Sequence, residues 1–90
     1  MTSILATTKG RCFLCDRVGP TELHHIFNGP VRDRADQDGF TVYLCPDCHR
    51  LIHANAKKRN ALKRYTQGKG MELYGWDMDY WMQRYFKNYL

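Results

Sequence analysis

The chain is expected to fold as a small α+β domain that uses bound metal to supplement its core, and three observations predict this. Two Cys-x-x-Cys steps, Cys12 to Cys15 and Cys45 to Cys48, bracket a strand–loop–strand pattern. The second step runs directly into a helical segment carrying His49 and His53 at i, i+4 spacing. The chain has 90 residues, a size at which apolar burial leaves little margin and a metal staple is a common supplement.

The elements follow in order. Residues 1–10 are polar and unpatterned and are expected to form a flexible arm. Residues 11–54 are expected to hold a cysteine knuckle and the metal-binding core, and residues 55–90 a set of C-terminal helices, all in one domain. After the first knuckle, Gly19-Pro20 makes a turn and Glu22 to Phe27 reads as a strand, broken by Asn28-Gly29-Pro30. Val31 to Gly39 is rich in Arg and Asp and reads as an exposed loop or a single helical turn. Phe40-Thr-Val-Tyr-Leu44 is β-branched and aromatic, a second strand able to pair antiparallel with the first.

Pro46-Asp47 opens a helix, with the acid where the helix dipole favours it, and Leu51, Ile52 and Ala54 are its apolar contacts. A basic helical segment, Lys57 to Tyr65, follows and is expected to loosen or end at Gly68 and Gly70. A last helix, Asp77 to Tyr89, carries Met78, Met82, Phe86 and Leu90 at i, i+4 beside Trp81, Tyr85 and Tyr89. That stripe reads as core packing, with a homodimer face as the alternative.

Each Cys-x-x-Cys step can offer two thiolates, so Cys12, Cys15, Cys45 and Cys48 together make a four-sulfur zinc site. Two disulfides are the rival use of four cysteines. Ile4-Leu5-Ala6 is too short for a secretory core, which favours zinc. Neither step lies in a thioredoxin-like βαβ pattern, which argues against a redox role. No apolar run approaches the ~20 residues that span a bilayer, so a soluble, cytoplasmic protein without membrane contact is expected. The 14 Lys and Arg against 9 Asp and Glu give a net charge of +5, which fits a polyanionic partner such as nucleic acid and fits ordinary solubilising charge as well.

All four histidines remain for a second site. His49 and His53 share one helix face, and a histidine of the His24-His25 pair can complete the set. Adjacent strand residues point to opposite sides. One of the pair can therefore ligate while the other stays free to take a proton from water. A metal touching a phosphodiester, with a nearby base and a cationic face, amounts to a phosphodiester hydrolase. His49 also adjoins Cys48, which leaves it a second reading as part of the sulfur site.

Leu23-His24-His25-Ile26 followed by Leu44-Cys45-x-x-Cys48-His49-x-x-x-His53 resembles the HNH endonuclease family, the ββα-metal nucleases, in a zinc-bearing form. The resemblance covers about Arg11 to His53, and the C-terminal helix is similar to that of small phage-encoded members. It implies a treble-clef-like ββα-metal domain acting on DNA in a host cytoplasm. Carried over by residue, it makes His25 the general base and His24, His49 and His53 ligands of a divalent catalytic metal. That metal would be Mg²⁺, Mn²⁺, Ni²⁺ or Zn²⁺, and the cysteines would hold structural zinc.

The family's middle Asn, nine positions before the first helix histidine, is Phe40 in this chain. That Asn braces the loop bearing the base, and Asn28, Gln37 or Asp38 are the substitutes in the intervening loop. Arg32, Arg50, Lys57, Lys58, Arg59, Lys63 and Arg64 are the candidate DNA-phosphate contacts, and the plainer reading of the basic stretch is a solvated helix face. The expected function is metal-dependent cleavage or nicking of DNA. The rival is an inactive zinc-binding module that binds DNA or a phage or host protein, with the aromatic C-terminal helix as its contact.

Overall fold

A computed structural model describes residues 3–90. Two short strands, β1 (Glu22–His25) and β2 (Thr41–Leu44), pair antiparallel with Glu22 opposite Leu44 and His25 opposite Thr41. The ladder closes one step beyond the strands, where the Ile26 N–H donates to the Phe40 carbonyl at 3.2 Å. The hairpin connection is not an open loop. A 3-10 turn at Gly29–Val31 leads into a short helix, α1 (Arg32–Gln37). This helix forms in a polar segment because Ala35 is fully buried and its carbonyl accepts the Phe40 N–H at 2.9 Å, which pins the turn to the start of β2.

Three further helices follow: α2 (Pro46–Ala54), α3 (Ala56–Tyr74) and α4 (Met78–Tyr85). Pro46 and Asp47 open α2 as expected, with Cys45 as its N-cap residue, whose sulfur accepts the Cys48 N–H. Of its apolar residues only Ile52 is buried, while Leu51 and Ala54 are exposed. Asn55 separates α2 from α3 and caps the latter through Oδ1, which accepts the Lys58 N–H at 3.0 Å.

Gly68 and Gly70 do not end α3, which continues to Tyr74 and stops at Gly75 in the left-handed region. The final helix is shorter than its sequence pattern, ending where Phe86 turns left-handed at φ 66°. Its buried face is Trp81 and Tyr85, and Met78, Met82, Phe86 and Leu90 are largely exposed. The aromatics win the core because Trp81 and Tyr85 stack at 4.2 Å and both pack on Phe27 and Phe40.

The N-terminal arm is also tied down from Ser3 onward, while the first two residues lie outside the described range. The Ile4 N–H donates to the Gly39 carbonyl at 3.0 Å and the Tyr43 N–H to Thr7 Oγ1 at 2.9 Å, and Leu5 is buried. These bonds use backbone and hydroxyl groups, so hydrophobic periodicity gives no sign of them. Among the described residues no helix is long and apolar enough to cross a membrane.

Candidate metal centres and the flanking imidazole

The first knuckle is a tight turn with Asp16 left-handed at φ 66°. It closes through the Asp16 N–H on the Cys12 carbonyl and the Cys12 N–H on the Arg17 carbonyl, both at 2.9 Å. The Phe13 N–H then donates to the Tyr43 carbonyl at 2.8 Å, which brings the knuckle against β2 beside the start of α2. One sulfur from each of Cys12, Cys15, Cys45 and Cys48 accordingly lies within 4.8 Å of the other three.

The chemistry of this donor set suits a cation. Burial pushes the Cys12 thiol up, but the N–H groups of Cys15, Cys45 and Leu14 outweigh it and bring it down to about 6. Burial and then the neighbouring sulfurs push Cys48 up. The Cys12 thiolate forms readily and Cys48 resists ionising beside it, as crowded like charges must. A tetrahedral ion removes that repulsion, so the four cysteines can hold a structural metal such as zinc.

The second centre is built from β1 and α2. His24 points to the α2 side of the sheet and is buried, with its ring centroid 5.2 Å from that of His49 and 5.6 Å from that of His53. Nitrogens of His24, His49 and His53 lie within 4.8 Å of one another, and the facing Nε2 atoms of His49 and His53 are 3.1 Å apart. Burial, with the neighbouring imidazoles next, pulls His24 down to about 4. It is therefore neutral at pH 7 and has a lone pair to offer. Three convergent imidazoles fit a divalent transition metal, and zinc, nickel or manganese suit them better than magnesium, which prefers oxygen.

Two carboxylates flank these rings. Glu22 Oε1 lies 2.8 Å from His49 Nδ1, leaving Nε2 directed at the cluster. His25, one residue from His24 and on the opposite face of β1, has Nδ1 2.9 Å from Asp36 Oδ1. Glu22 was not among the expected site residues, although its place two residues before His24 on a strand puts it on the same face. No local signal points to Asp36, because its reach to His25 depends on where α1 packs.

The residues expected to stand in for an HNH-type Asn serve elsewhere or stand apart. Asn28 and Gln37 are exposed. Asp38 is buried and accepts both Arg84 N–H groups, at 2.6 and 2.8 Å, together with the Tyr85 hydroxyl. Phe40 is fully buried in the aromatic core.

The cationic candidates divide. Arg32, Lys57, Lys58 and Arg64 are exposed. Arg50 is exposed but paired with Asp47, which also takes Arg17 at 3.2 Å. Arg59 donates to the His53 carbonyl at 2.6 Å and the Ile52 carbonyl at 3.2 Å, closing the end of α2. Lys63 is half-buried over the Tyr89 ring at 5.5 Å, and burial lowers its pKa. An apolar groove of about 580 Å³, lined by Phe13, Leu14, Leu51, Leu62 and Tyr65 among others, lies beside the sulfur cluster and is lined by none of the histidines. Among known proteins, no family model, no curated protein and no solved structure matches this chain.

Proposed function

We infer that the protein is a metal-dependent DNA endonuclease or nickase built on a treble-clef-like ββα-metal domain. The observation that carries this reading is the division of the histidine pair. His24 joins His49 and His53 in one convergent set, while His25 faces the other way against a carboxylate. A divalent ion on the three imidazoles would neutralise charge developing on the scissile phosphate and its leaving 3′-oxygen. His25 takes the proton from the attacking water, a task suited to an imidazole near neutral pH. The exposed Lys57, Lys58 and Arg64 on α3 contact backbone phosphates and position the duplex without reading its sequence.

The rival reading, a zinc-fold module that binds DNA or a protein without cleaving, is favoured by Phe40, which occupies the place of the family's Asn and is sealed in the core. A plasmid-nicking assay with Mg²⁺, Mn²⁺, Ni²⁺ and Zn²⁺ in turn separates the two. Metal-dependent conversion of supercoiled to open-circle or linear DNA is expected, with loss of that activity and retention of fold and DNA binding in His25→Ala. No cleavage by the folded, zinc-loaded parent in any metal would leave the binding module.

A further inference from the structure

We propose that Asp36 is the positioning residue for His25 and that α1 exists to deliver it, replacing the brace lost where Phe40 stands. The proposal rests on the nuclease reading and names the group that holds its base.

Three structural relations carry it. Asp36 Oδ1 lies 2.9 Å from His25 Nδ1, and both side chains are half-buried at 27% exposure, so the contact is sheltered on the far side of β1 from the three-imidazole cluster. A carboxylate only accepts, so in the neutral ring Nδ1 carries the hydrogen and Nε2 keeps its lone pair, the tautomer a base requires. The third relation is the anchor. Ala35 is fully buried and its carbonyl accepts the Phe40 N–H at 2.9 Å, and Phe40 is itself locked among Phe27, Trp81 and Tyr85. The aromatic residue at the Asn position thus seats α1 on the core, and the next residue after its buried Ala35 is the one that meets His25. A bystander ion pair on a mobile loop would lack that anchor.

The carboxylate has a further consequence in the reaction. When His25 accepts a proton at Nε2, the positive charge formed on the ring faces Asp36 directly, while ring orientation is unchanged. Asp36 acts in the reaction only through the imidazole.

The test combines plasmid nicking with long-range ¹H–¹⁵N spectra of histidine-labelled, zinc-loaded protein at a pH where His25 is neutral. The parent should show His25 with hydrogen on Nδ1. Asp36→Asn should show a mixed or reversed tautomer and lose ~10²–10⁴-fold in kcat, the range a positioned base contributes, with KM nearly unchanged. Asp36→Glu should recover part of both signals. Asp33→Asn makes the same charge change at an exposed position of α1 and should leave both at parent values. Undiminished kcat in Asp36→Asn, or an unchanged tautomer, overturns the positioning role and leaves the nuclease standing. A parent that cleaves no DNA in any metal overturns the nuclease reading and the proposal with it.

Discussion

Gly70 on α3 lies against the ring of Phe40, so closely that a Cβ at that position would sit 2.6 Å from Phe40 Cζ. A glycine inside a 19-residue helix costs about 1 kcal/mol relative to alanine, and here it makes room for the aromatic that heads β2. The nearby Gly68 has only Leu90 within van der Waals range, at 3.9 Å.

These two glycines should therefore respond oppositely to alanine. Gly70→Ala cannot push aside a ring sealed by Phe27, Trp81 and Tyr85, so overpacking of about 1–3 kcal/mol should outweigh the helix gain. Gly68→Ala should stabilise by about 0.5–1 kcal/mol. Urea unfolding of the two variants beside the parent checks the signs. Phe40→Asn should be worse than either, losing about 3 kcal/mol or more through a cavity and a buried amide.

The Tyr85 phenol donates to Asp38, which also holds Arg84 by two bonds. Burial, with this bond to the carboxylate next, raises the Tyr85 pKa above its ordinary 10.0. A folded-state pKa above the unfolded one stabilises fully below the unfolded value, and the contribution is lost as pH rises through the folded pKa. Stability should thus fall from about pH 10 upward as the unfolded state releases its proton first. Tyr85→Phe should cost about 1–3 kcal/mol at pH 7, with a shallower alkaline decline than the parent. Urea midpoints between neutral and alkaline pH, read beside tyrosinate absorbance, would expose the difference.

Removal of metal should act unequally at the two centres. Cys12→Ser, or a strong chelator, takes away the cross-link between the knuckle and α2, and the fold should be lost with it. His49 is half-buried and belongs only to the imidazole cluster, so His49→Ala should keep the fold while binding about one metal equivalent fewer per chain. Circular dichroism with a metal-release assay resolves the two cases. Equal unfolding in both variants would contradict a division into structural and functional sites.

The basic residues should sort by what they already touch. Lys57→Ala and Lys58→Ala should each weaken DNA binding and lower the salt slope by about one. Arg59→Ala should leave the slope nearly unchanged and cost about 1–2 kcal/mol of stability, because it strips two carbonyls at the end of α2 of their donor. DNA titrations over a range of salt concentration, beside thermal melts, read both quantities.

What was legible in the chain was the part that depends on neighbours in sequence. Cysteine spacing, the i, i+4 histidines, the strand pair and the Pro46-Asp47 helix start are local rules, and the structure brings together Cys12, Cys15, Cys45 and Cys48, and separately His24, His49 and His53. The opposed facing of His24 and His25 follows from strand pleating and was equally readable. Packing between distant segments decided the rest. Gly70 continues a helix because Phe40 fills its missing side chain, Asp38 is spent on Arg84 and Tyr85, and α4 buries Trp81 and Tyr85 in place of its methionine stripe. Asp36 reaches His25 only because a buried Ala35 seats α1 on the core. Periodicity and ligand spacing report which faces and donors a segment offers, whereas the partner each side chain meets is set by how the segments dock.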